Sequence, residues 1–170
     1  MWANRIMKIV TRVYDGYGKA RQAVAGLQAL GIHPSDIHLT ANRFICEQAA
    51  KLDQGASLGP PIADIGRMSA PGRDPVGVLV DAGVAEANAH VFCEAVRRGG
   101  TMVRVQTDDA RAIEVEAIMD RPRPVDAAAR GDDYRREGWT RFDAQAEPFM
   151  PGTADLERMN EPVRWQKPLG

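Results

Sequence analysis

The chain has 170 residues, 44% of them apolar and 26% charged, and a formal net charge of −1. This is the composition of one globular domain with a tail; it excludes a low-complexity chain and offers no global charge for gripping nucleic acid or an acidic membrane. Two cysteines, Cys46 and Cys93, without a CxxC pair exclude a disulfide framework and suit a reducing, cytoplasmic compartment.

The N-terminal stretch "MWANRIMKIV" has no long apolar core and no small-residue cleavage site, so it does not read as a signal peptide. Met7 opens "MKIVTRV" and offers a second natural start besides Met1. No run approaches the ~18 apolar residues of a membrane span, so no membrane association is expected.

"RIMKIVTRVY" is rich in β-branched and aromatic residues and predicts a strand over 6–13. Asp15 stands where an N-cap belongs, before a helix whose apolar stripe is Ala20, Ala23, Val24, Leu27 and Leu30; Gly31 stops it. "HPSD" turns the chain into a second strand, "DIHLTAN", with Ile37, Leu39 and Ala41 on one face. Residues 54–76 carry glycine, proline and serine without a period and read as a connector.

A helix from Ala85 to Arg98 follows, then a strand at "TMVRVQT" with Val103 and Val105 inward. Asp108 or Asp109 caps a third helix with a core face of Ala112, Val115, Ile118 and Met119, while Ile113 falls off that stripe. Pro122 and Pro124 end it, and "VDA" supplies a short edge strand. From Asp143 the tail has four prolines and no sustained period; its Phe149 and Trp165 suit it to lie on its own domain or on a partner.

These elements predict an α+β domain of the ferredoxin-like, two-layer sandwich kind: two split βαβ units, a four-stranded antiparallel sheet, helices on one face, and one extra helix. Residues 1–53 hold the first βαβ unit, 54–76 the connector, 77–142 the extra helix and the second unit, and 143–170 an extended tail.

The stretch "CEAVRRGGTMVRVQTDDA" (93–110) raises the question of a phosphate cradle. Phosphate-binding glycine loops precede a helix, whose free N–H groups face the anion. Here the glycines follow a helix, so Gly99 and Gly100 read as a cap and turn. On that helix Ala85, Ala89, Phe92 and Val96 form a buried stripe, and His90, Glu94, Arg97 and Arg98 form one polar ridge opposite.

"AHVFCEAVRRGGTMVRVQTDDAR", followed by "VDAAARGDDYRREGWTRFD", resembles the bacterial general stress protein 17M-like (YflT-type) domain family. The likeness rests on a helix ending in a doubled Arg and Gly, a strand, an Asp-capped helix, and a late Gly-Trp before Phe-Asp, matched by Gly138, Trp139, Phe142 and Asp143. The opening βαβ unit resembles the family too, and the likeness spans 7–145. Residues 43–80 depart from the pattern, being shorter and more polar than the Gly/Ala-rich insertion of many relatives. The resemblance implies a stress-associated domain with no enzymatic activity to map onto residues.

Two chemistries remain open on the residues themselves. His90 with Glu94 would make an acid–base dyad if a second subunit enclosed the ridge. Arg97, Arg98 and Arg104 would suit a small anion, whereas His90 with Cys93, or His38 with Cys46, gives too few ligands for zinc, so no metal and no cofactor is expected. The sheet face expected to stay open, carrying Val10, Arg12, His38, Thr40, Met102, Arg104 and Gln106, lacks the aromatics on which RNA bases stack. Self-association as a homodimer is the expectation, with Met102, Trp139 and Phe142 as interface candidates and the tail as a possible hold on a protein partner.

Overall fold

The computed structural model describes residues 6–52, 60–68 and 74–150. The alternative starts, the last stretch of the tail with Trp165, and parts of the 54–76 connector lie outside the described residues.

Strand β1 (Met7–Tyr14) leads into helix α1 (Tyr17–Ala29), and strand β2 (Ile37–Ala41) follows. The α1 stripe is the expected one: Ala20, Ala23, Val24 and Leu27 are all buried. Asp15 does not cap this helix. Gly16 holds the N-cap position without a side-chain bond, and Asp15 instead accepts two hydrogen bonds from Arg130, at 2.6 and 2.8 Å.

Asn42 starts a helix that the sequence reading left inside the first unit, α2 (Arg43–Leu52); its Oδ1 accepts from the Ile45 amide at 3.0 Å. A three-residue strand β3 (Ile62–Asp64) and helix α3 (Pro75–Asp81) then lie within or at the edge of the expected connector. Helix α4 (Glu86–Arg97), strand β4 (Thr101–Asp108), helix α5 (Ala112–Asp120) and helix α6 (Ala127–Arg136) complete the described elements.

The sheet order is β1-β4-β2-β3. β4 is antiparallel to both β1 and β2, so β1–α1–β2 is a split βαβ unit with β4 threaded between its strands. The fully antiparallel expectation fails at β3, which pairs parallel to β2. A parallel neighbour needs a crossover of a dozen or more residues, and α2 is that crossover. The expected "VDA" edge strand reduces to one backbone bond, Val125 N–H to the Val13 carbonyl at 2.7 Å, beside the free edge of β1. Asp126 then caps α6 by accepting from Ala128 and Ala129.

Helices pack on both faces of the sheet, which corrects the two-layer expectation. On one face α1 and α5 bury Val10, Tyr14, Leu27, Ile37, Val103, Val105, Val115 and Met119. On the other, α3, α4 and the segment around Met68 bury Val13, Leu79, Cys93, Val96, Met102 and Phe142. Val10 and Arg12 therefore do not share a face with Arg104: Val10 pairs with Val105 and Arg12 with Val103. Among the described residues no helix is long and apolar enough to cross a membrane.

α4 stops as the sequence says it should. The Gly99 amide bonds to Val96 O and the Gly100 amide to Ala95 O, at 3.0 and 2.8 Å, with Gly99 at φ 113°. That is a Schellman closure, whose left-handed residue favours glycine. Gly100 has a second constraint: a Cβ there would stand 2.9 Å from the backbone oxygens of both Ala95 and Tyr14. Gly100→Ala is expected to destabilise the fold by about 1–3 kcal/mol, the usual range for overpacking. Gly18→Ala in α1, where a Cβ meets nothing within 4 Å, should instead stabilise by about 0.5 kcal/mol. Thermal or urea unfolding of the two variants checks the opposite signs.

Candidate functional site

The polar ridge of α4 is not a solvated face. Glu94 is 1% exposed although it sits among charged neighbours. Arg97 grips it with Nε and Nη2 at 3.0 and 2.6 Å, and Arg98 Nε adds a third bond at 2.9 Å. Bidentate arginine–carboxylate contacts of this kind are strong and directional. Burial by itself would raise the Glu94 pKa, but the bonds and charges of Arg97 and Arg98 outweigh it and hold the carboxyl below its ordinary value.

Both arginines reach onward from Glu94. Arg98 donates to Glu137 at 2.7 Å and lies over the Tyr134 ring at 4.0 Å from its centroid, tying α4 to α6. Trp139 meets the same tyrosine edge-on, with centroids 5.6 Å apart. Arg97 donates to the Glu147 carbonyl at 2.6 Å and lies over Phe149. Its own carbonyl accepts from the Phe149 amide and from Asn42 Nδ2, and Asn42 also donates to Phe149 O. The start of the expected tail, 143–150, is therefore strapped across the end of α4 and the start of α2.

The expected dyad is not assembled. His90 Nδ1 accepts from the Phe142 amide at 3.3 Å, and its Nε2 faces Glu86 at 3.9 Å, not Glu94. Nor do the three arginines converge. Arg97 and Arg98 close on Glu94, while Arg104 sits on the sheet, opposite Thr11 on β1 and His38 on β2.

The interface candidates turn inward. Met102 is fully buried, Phe142 is buried and Trp139 is half-buried. The reason is α4 with α3: they cover the part of the sheet that was expected to be open. On α4, Val91, Cys93 and Glu94 are buried while Phe92 is only partly so, because α6 covers a second side of the helix. Val91 lies 3.0 Å from where a Cβ on Gly131 of α6 would stand.

Burial, with the charge of Asp74 adding to it, pushes the Cys93 thiol up to about 12. Burial likewise raises Cys46 to about 11. Both stay protonated near neutral pH and are poor nucleophiles or ligands in that form. Among the described residues no three His, Cys, Asp or Glu side chains gather as metal ligands.

A cleft of about 390 Å³ that sequence reasoning did not locate opens beyond the ends of β2 and β3, under the 142–148 strap. Asn42, Asp64, Asp74 and Arg97 face it. Its polar groups are already engaged: Asp64 and Asp74 cap the Gly66 and Gly77 amides, and Arg43 pairs with Glu147 at 2.7 Å. The signals that could have found it are the Asx caps at the starts of successive short elements.

Part of the rest of that sheet face is exposed, with buried Thr11 and half-buried Arg104 at its border. Beyond Met102 and Val13 it presents Met7 and Ile9 of β1 at 49% and 38% exposure, exposed His38 of β2, and Arg104, Gln106 and Asp108 of β4. Arg104 Nε and Thr11 Oγ1 are buried without a hydrogen-bond partner among the described residues. Burial lowers the Arg104 pKa. Comparison with protein-family models, with curated proteins and with solved structures gave no match for this chain.

Glu94 thus acts as a tie among α4, α6 and the strap. Glu94→Gln is expected to destabilise the fold by roughly 3 kcal/mol at neutral pH, because partly buried Arg97 loses its carboxylate and Arg98 keeps only Glu137. With its folded pKa below the ~4.3 of a free glutamate, the Glu94 contribution is present above that value and is lost as pH falls through the folded pKa. Acid unfolding of the wild type should therefore be steeper below pH ~4 than that of Glu94→Gln. Equal slopes would remove the tie.

Proposed function

We propose that this chain is a non-catalytic, stress-associated bacterial binding or regulatory domain that works through protein interaction and pairs with a second copy of itself. The observation that carries this reading is the exposed part of that sheet face, where Met7 and Ile9 adjoin half-buried Arg104, which has no salt bridge among the described residues. An apolar and charged surface of this kind on a sheet face suits a protein neighbour better than bulk water.

The stress association rests on the sequence resemblance. The reading of a small enzyme built on His90 and Glu94 lacks its dyad, since each residue bonds elsewhere. The reading of an anion sensor on three arginines loses two of them to Glu94. For the fold we propose a modified ferredoxin-like plan, supported by the split β1–α1–β2 unit and by Val125 beside β1.

Sedimentation velocity over a concentration series tests the reading. The wild-type mass should rise toward that of two chains, and Ile9→Glu should stay monomeric with an unchanged circular dichroism spectrum. A wild type that remains monomeric up to about 1 mM, where association is worth only ~4 kcal/mol, would sink it.

A further inference from the structure

Three neighbouring positions of β4 carry a charge pattern that specifies how two copies would meet. Arg104, Gln106 and Asp108 alternate onto one face of the sheet, which gives the order positive, neutral, negative along a single strand. Arg104 and Asp108 are about 13 Å apart at a rise of ~3.3 Å per residue, too far to neutralise each other. Asp108 uses one oxygen to accept from the Arg111 amide at 2.9 Å and has no salt bridge among the described residues. Arg104 has no partner there at all and keeps a buried, unbonded Nε.

From this we infer that the uncovered face pairs with a second copy of the chain about a two-fold axis running across the strands through Gln106, so that Arg104 of each copy meets Asp108 of the other. The inference rests on the interaction reading above and adds its register. A two-fold axis along the strands is the alternative, and it stacks Arg104 on Arg104, which like-charge repulsion disfavours. The crossing axis brings both charges to opposite signs at once and sets Gln106 against Gln106, where two amides can exchange hydrogen bonds.

β1 supports the same axis. Ile9 lies opposite Gln106 in the β1–β4 register, so Ile9 falls on Ile9 of the second copy and forms the apolar centre. Sheets packed face to face sit ~10 Å apart, within reach of an arginine and an aspartate extended toward each other. The contacts that fix this register are ion pairs at the surface, so the dimer is a salt-sensitive one.

The test is a charge exchange read by sedimentation equilibrium at low salt. Arg104→Glu and Asp108→Lys should each weaken dimerisation at least about tenfold, because each creates two like-charge contacts. Mixed together, the two variants should form a heterodimer about as tight as the wild-type dimer, since both contacts then join opposite charges. Because Asp108 is also a cap, Asp108→Asn, which retains capping, serves as a second variant and should weaken the dimer and flatten its salt dependence.

A wild type that dimerises while both single variants dimerise equally well, or a mixture no tighter than the variants alone, overturns the register but leaves the face open. A wild type that never dimerises overturns the interaction reading itself.

Discussion

One buried carboxylate organises this end of the molecule. Glu94 has almost no contact with water, and an isolated carboxylate in that position would be costly. Arg97 and Arg98 make its burial tolerable, and in doing so both guanidinium groups become fixed platforms. Tyr134 and Glu137 of α6 use one, while Phe149 and the Glu147 carbonyl use the other. Replacing a buried pair wholesale by apolar groups is often neutral, but removing one member leaves charge stranded, typically at a cost of 3–5 kcal/mol. The doubled arginine before the doubled glycine is therefore a structural fastening, with the glycines closing the helix and the arginines holding what packs over it.

The same arrangement decides which surfaces remain for function. α6 is a poor helix on its own, with five charged residues among ten and only Gly131 and Tyr134 buried. It holds its place through Arg98 on one side and through Arg130 on Asp15 at the other. With α6, α3 and the strap in position, the groups that looked reactive on a helical wheel are bonded to the chain itself. What stays outside among the described residues is part of one sheet face, with half-buried Arg104 at its border and no salt bridge to it.

Much of this was legible because it is local. The α1 stripe, the closing glycines of α1 and α4, the β4 alternation and the Asp108 cap each arise within one element, from residues a turn or two apart. The losses were long-range. β1 reads ambiguously since Ile9 and Val10 are both apolar, and a strand with apolar residues on both faces has no clean alternation to fix its parity. β3 is three residues long, and its parallel direction depends on a crossover through α2, whose buried face is little more than Ile45 and Ala49. α6 has no apolar period to detect. Glu94 reads as a surface residue for the same reason, because the sequence of the helix packed beside it gives no sign of burying it.

The measurement that bears most directly on the Glu94 tie is amide hydrogen exchange, compared between wild type and Glu94→Gln under native conditions. If Glu94 fastens α6 and the strap, the Phe149 amide and the α6 amides lose protection in the variant while β4 keeps its own. Protection lost evenly across the whole domain, or retained at Phe149 and in α6, would contradict the account.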